Sequence, residues 1–488
     1  MSRATEAPAA KVVPSYPSVR LDPNLVEIPA SARPDMRVPA RVWADEELWK
    51  QISRDRTLNQ LVNVATLPGI AGTAQAMPDA HEGYGFPVGG VAAFRASDGV
   101  ISPGGVGYDI NCGVRLLASE VQADELGHAR LERVVHDLSR SIPSGTGKGS
   151  HLQFAGEDLE RVLEEGCSYL AERGLAMPED LDAIEARGSL PWADASGVSE
   201  RARQRGGGQL GSIGSGNHFI EIQRVDKVFD LHAAGVLGLR AGQLVLLIHT
   251  GSRGLGHQVC TDWVRSMDAV MTRHGISLPD RELACAPFES PEGKKYFGAM
   301  CAAANFAFSN RQAITYAARQ VFRRTLKEDG DLRVVYDVAH NMAKLERHGQ
   351  EDLVVHRKGA TRAFGPSHPE TPKAYQEVGQ PVFIPGSMGT ASYVLVGTDE
   401  GFGLSFGSTC HGAGRAMSRT AAKKIQKGQE VRKALEDQGI VVRCASAGEL
   451  AEEAPHAYKD VDRVVEVVHQ AGLARKVARL VPLGVIKG

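Results

Sequence analysis

Leu244-Val-Leu-Leu-Ile-His249-Thr-Gly-Ser-Arg253-Gly-Leu-Gly-His257 holds an unbroken apolar run that stops at a histidine. Such a run reads as a buried strand. A glycine-rich loop carrying an arginine follows it. A histidine at a strand end beside an arginine resembles the rim of a site more than the inside of a core. The pattern recurs along the chain. Val334-Val-Tyr-Asp337-Val-Ala-His340-Asn341 is again a strand ending in His-Asn. Gly211-Ser-Ile-Gly-Ser-Gly216-Asn217-His218-Phe219-Ile-Glu221 runs the other way, from a glycine loop into a strand. On that strand His218 and Ile220 face one side, Phe219 and Glu221 the other. Gly407-Ser-Thr-Cys-His411-Gly-Ala-Gly-Arg415 sets a fourth imidazole among very small residues. A helix is expected over 416–427, which would put this loop at a helix N-terminus, where anions are favoured.

Two further loops add ionisable groups. Asp79, His81 and Glu82 lie between Pro78 and Pro87, before a short strand over 91–94. Gly104-Gly-Val-Gly-Tyr-Asp109-Ile-Asn-Cys112-Gly turns tightly and continues as a strand over 114–118. A carboxylate and a thiolate presented together suit Mn²⁺, Fe²⁺, Co²⁺ or Zn²⁺, although a lone cysteine in a turn is more often simply buried. One carboxylate, one thiolate and up to four imidazoles, scattered along the chain, converge only on folding, as catalytic metal sites often do. Arginines 205, 253, 357, 362, 415 and 419 and the small-residue loop Pro385-Gly-Ser387-Met-Gly-Thr390-Ala-Ser392 accompany them. Metal ligands, arginines and glycine-rich turns are the components of phosphoryl or nucleotidyl transfer. No Walker loop and no Rossmann glycine signature occurs in context.

The chain of 488 residues has a net charge of −2, so any nucleic acid must be attracted by a local patch. Seven widely spaced cysteines, an odd number with no Cys-x-x-Cys pair, argue against a disulfide framework and for a reducing compartment. No apolar run reaches membrane-span length, and the N-terminus lacks a signal-peptide stretch, so a cytoplasmic location and no membrane partner are expected. Residues 1–40, rich in Pro, Ala and Ser, are expected to be an extended or partly disordered lead-in, with 41–488 the catalytic domain. Helices are expected over 43–62, through much of 124–205, and over 262–273, 292–327 and 461–471.

The motifs Asp109-Ile-Asn-Cys-Gly, Gly-Asn217-His-Phe-Ile-Glu, His249-Thr-Gly-Ser-Arg-Gly-Leu-Gly, Asp337-Val-Ala-His-Asn and Cys-His411-Gly-Ala-Gly-Arg resemble those of the RtcB family, GTP-dependent RNA ligases that splice tRNA and repair RNA. The resemblance runs from about Met77 to Lys487. It implies an α+β fold: one large domain, central β-sheets surrounded by helices, and a deep metal and nucleotide pocket. It implies two Mn²⁺ ions held by Asp109, Cys112, His218, His249 and His340, with Cys112 bridging. His411 would take GMP from GTP, and Asp79 would orient its ring. The nucleotide would rest on Asn217, Phe219, Glu221, Asn341, Pro385, Ser387, Ser392, Ala413, Gly414, Tyr458 and Lys487. Glu221 and Lys487 match the donor and acceptor edge of guanine. Arg205, Arg253, Arg415 and Arg419 would bind phosphates of the RNA, either tRNA halves or broken RNA. An archease-type activator is a further implied partner. The rival reading is a metal-dependent phosphoesterase, which needs the metals and arginines but not His411, Glu221 or Lys487.

Overall fold

The computed structural model describes residues 14–145, 152–327 and 330–488. Its arrangement is α+β, with two large sheets covered by helices. The first sheet has seven strands, in the order Val19–Asp22, Leu25–Ile28, Ala40–Trp43, Ile70–His81, Val88–Arg95, Glu351–Lys358, Asn341–His348. The second runs Leu332–Ala339, Gly113–Gln122, Gln243–Thr250, Phe219–Val228, Ala474–Lys487, Ser392–Gly397, Pro381–Ile384. Neighbours are antiparallel except Ala40–Trp43 beside Ile70–His81, and Val441–Cys444, which pairs parallel with the C-terminal strand. The chain passes from one sheet to the other at His340, between Ala339 and Asn341. That residue therefore sits where the two sheets meet.

The strand Gln243–Thr250 is buried along its whole length. Val245 and Leu247 pack into one core, and Leu244, Leu246 and Ile248 into another. Both faces are covered, which is why the run shows no alternation. Each fully buried Leu or Ile there contributes roughly 1.5–3 kcal/mol, so a slip of register that moves His249 is strongly disfavoured. The same alternation holds on Phe219–Val228, where Phe219 and Ile220 join opposite cores. The helix Pro291–Leu326 spans 36 residues, is capped by Ser290, and ties the cores together: Phe306 and Phe308 join the core of the first sheet, Ile314 and Phe322 one beneath the second.

Several expected boundaries move. Within the lead-in expected over 1–40, Val19–Asp22 and Leu25–Ile28 are strands; residues 1–13 lie outside the described residues. Leu25–Ile28 pairs with Ala40–Trp43, and Val26 and Ile28 are buried, so a boundary drawn after position 40 cuts into a strand bonded to the lead-in. The helix expected over 43–62 is two short helices, Glu46–Ile52 and Thr57–Val64, after a strand that ends at Trp43. The helix expected from 262 begins at Arg253, because Gly254 and Gly256 let its first turn pack against Arg205 and Ser252. The helix expected over 416–427 shrinks to Arg419–Ile425, with Ser418 as its N-cap. Arg357 and Arg362, counted in the sequence among the arginines that accompany the ligand candidates, lie in strands and are buried against Glu346 and against Glu185 and Glu370. They are structural ion pairs and do not face a ligand. Within the stretch expected to be largely helical over 124–205, residues 146–151 lie outside the described residues.

Candidate active site

The strand ends bring the scattered ligand candidates together. Cys112 follows a tight turn and opens the strand Gly113–Gln122; His249 ends the neighbouring strand, paired opposite Val114 and Phe219. Cys112 Sγ lies 3.3 Å from His249 Nε2 and 3.4 Å from His218 Nε2. His218 Nε2 is 2.9 Å from Asp109 Oδ2. The ligand atoms of Asp109, Cys112 and His218 all lie within 4.8 Å of one another, close enough to hold one ion. The rings of His249 and His340 stand 5.6 Å apart, and those of His340 and His411 5.2 Å.

The electrostatics fit a cation. Burial lowers the pKa of His249 and of His340 well below the usual imidazole value, with neighbouring histidines adding to the effect, so both rings are neutral with free lone pairs. His340 Nδ1 is 2.9 Å from Thr361 Oγ1, while its Nε2 is buried with no hydrogen-bond partner among the described residues. A buried nitrogen left unpaired is costly, and a divalent ion would satisfy it. Burial, then Asp109, pushes the Cys112 thiol well up; a bound cation reverses that preference. Asp109 is held down to about 2: burial alone would raise it, but the hydrogen bond and charge of His218 outweigh that. Gly251 is required beside it, since a Cβ there would lie 2.5 Å from both carboxylate oxygens.

His411 follows the short strand Ser408–Cys410, which pairs with Ala360–Arg362. It does not sit at a helix N-terminus, because the next helix starts eight residues later. Its ring is held instead by Asp79: Nδ1 is 2.6 Å from Asp79 Oδ2, and the same oxygen accepts the His411 backbone N–H at 3.2 Å. Asp79 is fully buried. Gly414, at φ 73°, lets the following turn close onto the Asp79 carbonyl, where a Cβ would clash. Lys459, which the sequence reading passed over, donates to the carbonyls of Pro78 and Ala80 on either side of Asp79.

A cavity of about 360 Å³ opens in front of these groups. Cys112, His249, His340 and His411 line it on one side. Of the residues expected at the nucleotide, Asn217, Phe219, Asn341, Pro385, Ser387, Ala413, Gly414, Tyr458 and Lys487 also line it. Glu221 and Ser392 do not; they lie just behind, joined through Gln223, whose Nε2 is 2.5 Å from Glu221 Oε2 and 2.9 Å from Ser392 Oγ. Burial raises Glu221 to about 8, against the lowering effects of Gln223 and Lys487. Burial lowers Lys487, whose ammonium stands 5.6 Å from the Phe219 ring.

Arg205, Arg253 and Arg419 line an adjoining groove that shares Asn217 with the cavity and reaches Asp109 and His218. Arg415 faces the main cavity, paired to Glu453 at 3.2 Å. Glu453, also unforeseen, accepts from Arg415, Arg419 and Tyr458 together. Another unforeseen residue is Arg311, fully buried beneath the metal-ligand candidates. It pairs with Asp337 at 2.8 Å and donates to the carbonyls of Asn111 and Thr250, each at 2.9 Å. The loops of Cys112 and His249 are thus fastened to the strand that ends at His340.

Comparison with known proteins agrees with the motifs. Residues 60–488 match the family model described as tRNA-splicing ligase RtcB. The chain is 52% identical over 479 residues to the tRNA-splicing ligase RtcB of Thermococcus kodakarensis, covering 97% of this chain and 99% of that one. It is 49% identical over 483 residues to that of Pyrobaculum aerophilum, covering 97% and 100%. It is also 53% identical over 435 residues to the RNA-splicing ligase RtcB of Mycobacterium tuberculosis, covering 88% and 100%. A family model matched over residues 60–488, with relatives about half identical over most of the chain, places the protein in the RtcB family.

Proposed function

We propose that this protein is an RNA ligase that joins a 3′-phosphate or 2′,3′-cyclic phosphate end to a 5′-hydroxyl end, using GTP and Mn²⁺, in tRNA splicing or RNA repair. The observation that carries the mechanism is the Asp79–His411 pair at the mouth of a cavity lined by the metal-ligand candidates. With Asp79 accepting the Nδ1 proton, His411 Nε2 keeps its lone pair as a nucleophile. Nε2 forms a bond to the α-phosphorus of GTP, and pyrophosphate leaves with the bonding electrons. A cyclic end is first opened by water. An oxygen of the RNA 3′-phosphate then displaces His411 from the guanylyl phosphorus. Finally the 5′-hydroxyl attacks the activated 3′-phosphate, loses its proton, and expels GMP.

Asp109, Cys112, His218, His249 and His340 would hold the two Mn²⁺ ions, whose contribution is to neutralise phosphate charge during transfer. Glu221 and Lys487 select guanine, the first accepting from its amine and the second donating to its carbonyl. Adenine offers the opposite pattern and leaves both groups unpaired. Arg205, Arg253, Arg415 and Arg419 hold the RNA backbone. An archease-type protein is a candidate activator for repeated turnover. Among the described residues no helix is long and apolar enough to cross a membrane; a cytoplasmic place of action suits the free cysteines.

The test is to incubate the protein with Mn²⁺ and α-labelled GTP, with ATP and a His411→Ala variant in parallel. Acid-labile label from GTP alone, absent in the variant, is the expected result. A folded, metal-loaded protein that takes no label sinks the mechanism and leaves the phosphoesterase in its place.

A further inference from the structure

Tyr108 and His257 have no part in the chemistry above, yet they stand at its edge. Their rings stack with centroids 5.3 Å apart and planes 25° from parallel. Tyr84 meets Tyr108 edge-on at 5.4 Å. Tyr108 lines the main cavity and His257 lines the arginine groove, so the stack spans the rim between them, next to Asp109. Tyr108 is half-buried and His257 is exposed. Tyr108 packs against the core of the first sheet, whereas the exposed His257 ring lies over it from the groove side, so core packing accounts for only one ring of the pair. His257 belongs to the helix Arg253–Arg273, and Thr261 and Arg265 follow one and two turns on along the same face. Arg265 is exposed and has no carboxylate partner within ion-pair distance among the described residues.

An exposed ring stacked on a half-buried one, beside arginines of which Arg205, Arg253 and Arg265 have no carboxylate partner among the described residues, forms the arrangement that single-stranded nucleic acid needs. Cations follow the phosphates, and an aromatic face takes a base whatever its identity. We propose that the Tyr108–His257 stack is a nucleobase-stacking subsite for the unpaired terminal nucleotide of the RNA strand that lies in the arginine groove. Arg265 is placed to meet a phosphate further along that strand. This deepens, and rests on, the reading of the protein as an RNA ligase. The subsite predicts little base preference, since it reads a ring face and no hydrogen-bonding edge. It also predicts that a base must be present at the end of the strand.

The experiment measures binding of a short single-stranded RNA with a 5′-hydroxyl to the full-length, Mn²⁺-loaded protein. The same RNA with an abasic terminal nucleotide is measured beside it. The wild-type protein should bind the abasic strand about tenfold more weakly, the size of one stacked base. His257→Ala should bind the intact strand about tenfold more weakly and no longer distinguish the two. His257→Phe should restore the distinction. Thermal midpoints of both variants establish that they are folded. Equal affinity of the wild-type protein for intact and abasic RNA overturns the proposal without any variant. So does a folded His257→Ala that discriminates as the wild type does. A wild-type protein that neither binds RNA nor takes label from GTP fails at the level of the ligase reading, and the subsite falls with it.

Discussion

At the scale of single residues the site depends on two buried carboxyl groups, Asp79 and Glu221. Asp79 is buried with one oxygen on His411 and the other without a partner among the described residues. Asp79→Asn offers an amide in place of that acceptor, and the His411 ring can then take the wrong tautomer. Self-labelling from GTP should slow on the order of a thousandfold, while the thermal midpoint stays near that of the wild type. Glu221 faces the base instead of the histidine in the proposed reading. Its pKa of about 8 in the free protein means that the carboxyl is mostly protonated at neutral pH. In the proposed reading guanine is met by the ionised form as an acceptor, so binding would also remove a proton. Affinity for GTP should rise close to tenfold per pH unit from pH 6 to 7.5 and level off above 8. It should fall again once Lys487, whose own pKa burial lowers, loses its proton. Titration calorimetry with GTP at a series of pH values measures this, and Glu221→Gln should bind weakly with no rising limb. An affinity flat with pH in the wild type would mean that Glu221 is not the group that meets the base.

At the scale of elements, the ligand candidates are readable from sequence because each sits where an apolar run starts or stops. His249 and His340 end strands and Cys112 opens one; a core strand announces itself by its composition, and its end marks the rim of the core. What fastens those ends together is not readable in this way. Arg311 lies inside an alanine-rich helix, where a lone arginine reads as a solvated position. Only the fold places it, and with it Arg115, on the buried Asp337. Arg357 and Arg362 mislead for the same reason: spacing cannot separate an arginine that waits for a phosphate from one already paired inside. The hairpin of Val19–Asp22 and Leu25–Ile28 is hidden by the Pro- and Ala-rich sequence around it, though its apolar residues meet the first sheet. Arg311→Met would leave Asp337 with Arg115 alone and release two backbone carbonyls. Urea denaturation should show a loss of about 3–5 kcal/mol. Cobalt binding, followed through its visible absorption, should weaken in variant protein that is still folded, because the Cys112 and His249 loops lose their common anchor. Unchanged cobalt affinity would confine Arg311 to stability.

At the scale of the whole molecule, the question is how a protein with a net charge of −2 holds a polyanion. Most of its arginines are spent in ion pairs, including the buried ones under the site. The attraction must then come from the few cations that face the groove. Among the described residues Arg205 donates to Gln258, and Arg253 to Ser212 and the Gly145 carbonyl, and neither has a carboxylate within ion-pair distance. Arg419 is shared with Glu453 and is the weaker contributor in the free protein. A field this local predicts a shallow salt dependence. With two or three phosphates neutralised on a single strand, log K should fall against log salt with a slope of about −1.5 to −2. Arg205→Ala should lower the magnitude of that slope by about 0.7, whereas a charge removed from the far surface, as in Arg347→Ala, should leave it unchanged. Measuring RNA binding from 50 to about 300 mM salt decides the matter. A slope several units steeper would mean that RNA runs over a much wider basic surface than this groove. A slope near zero would leave stacking and the metal site to carry the strand without the arginines.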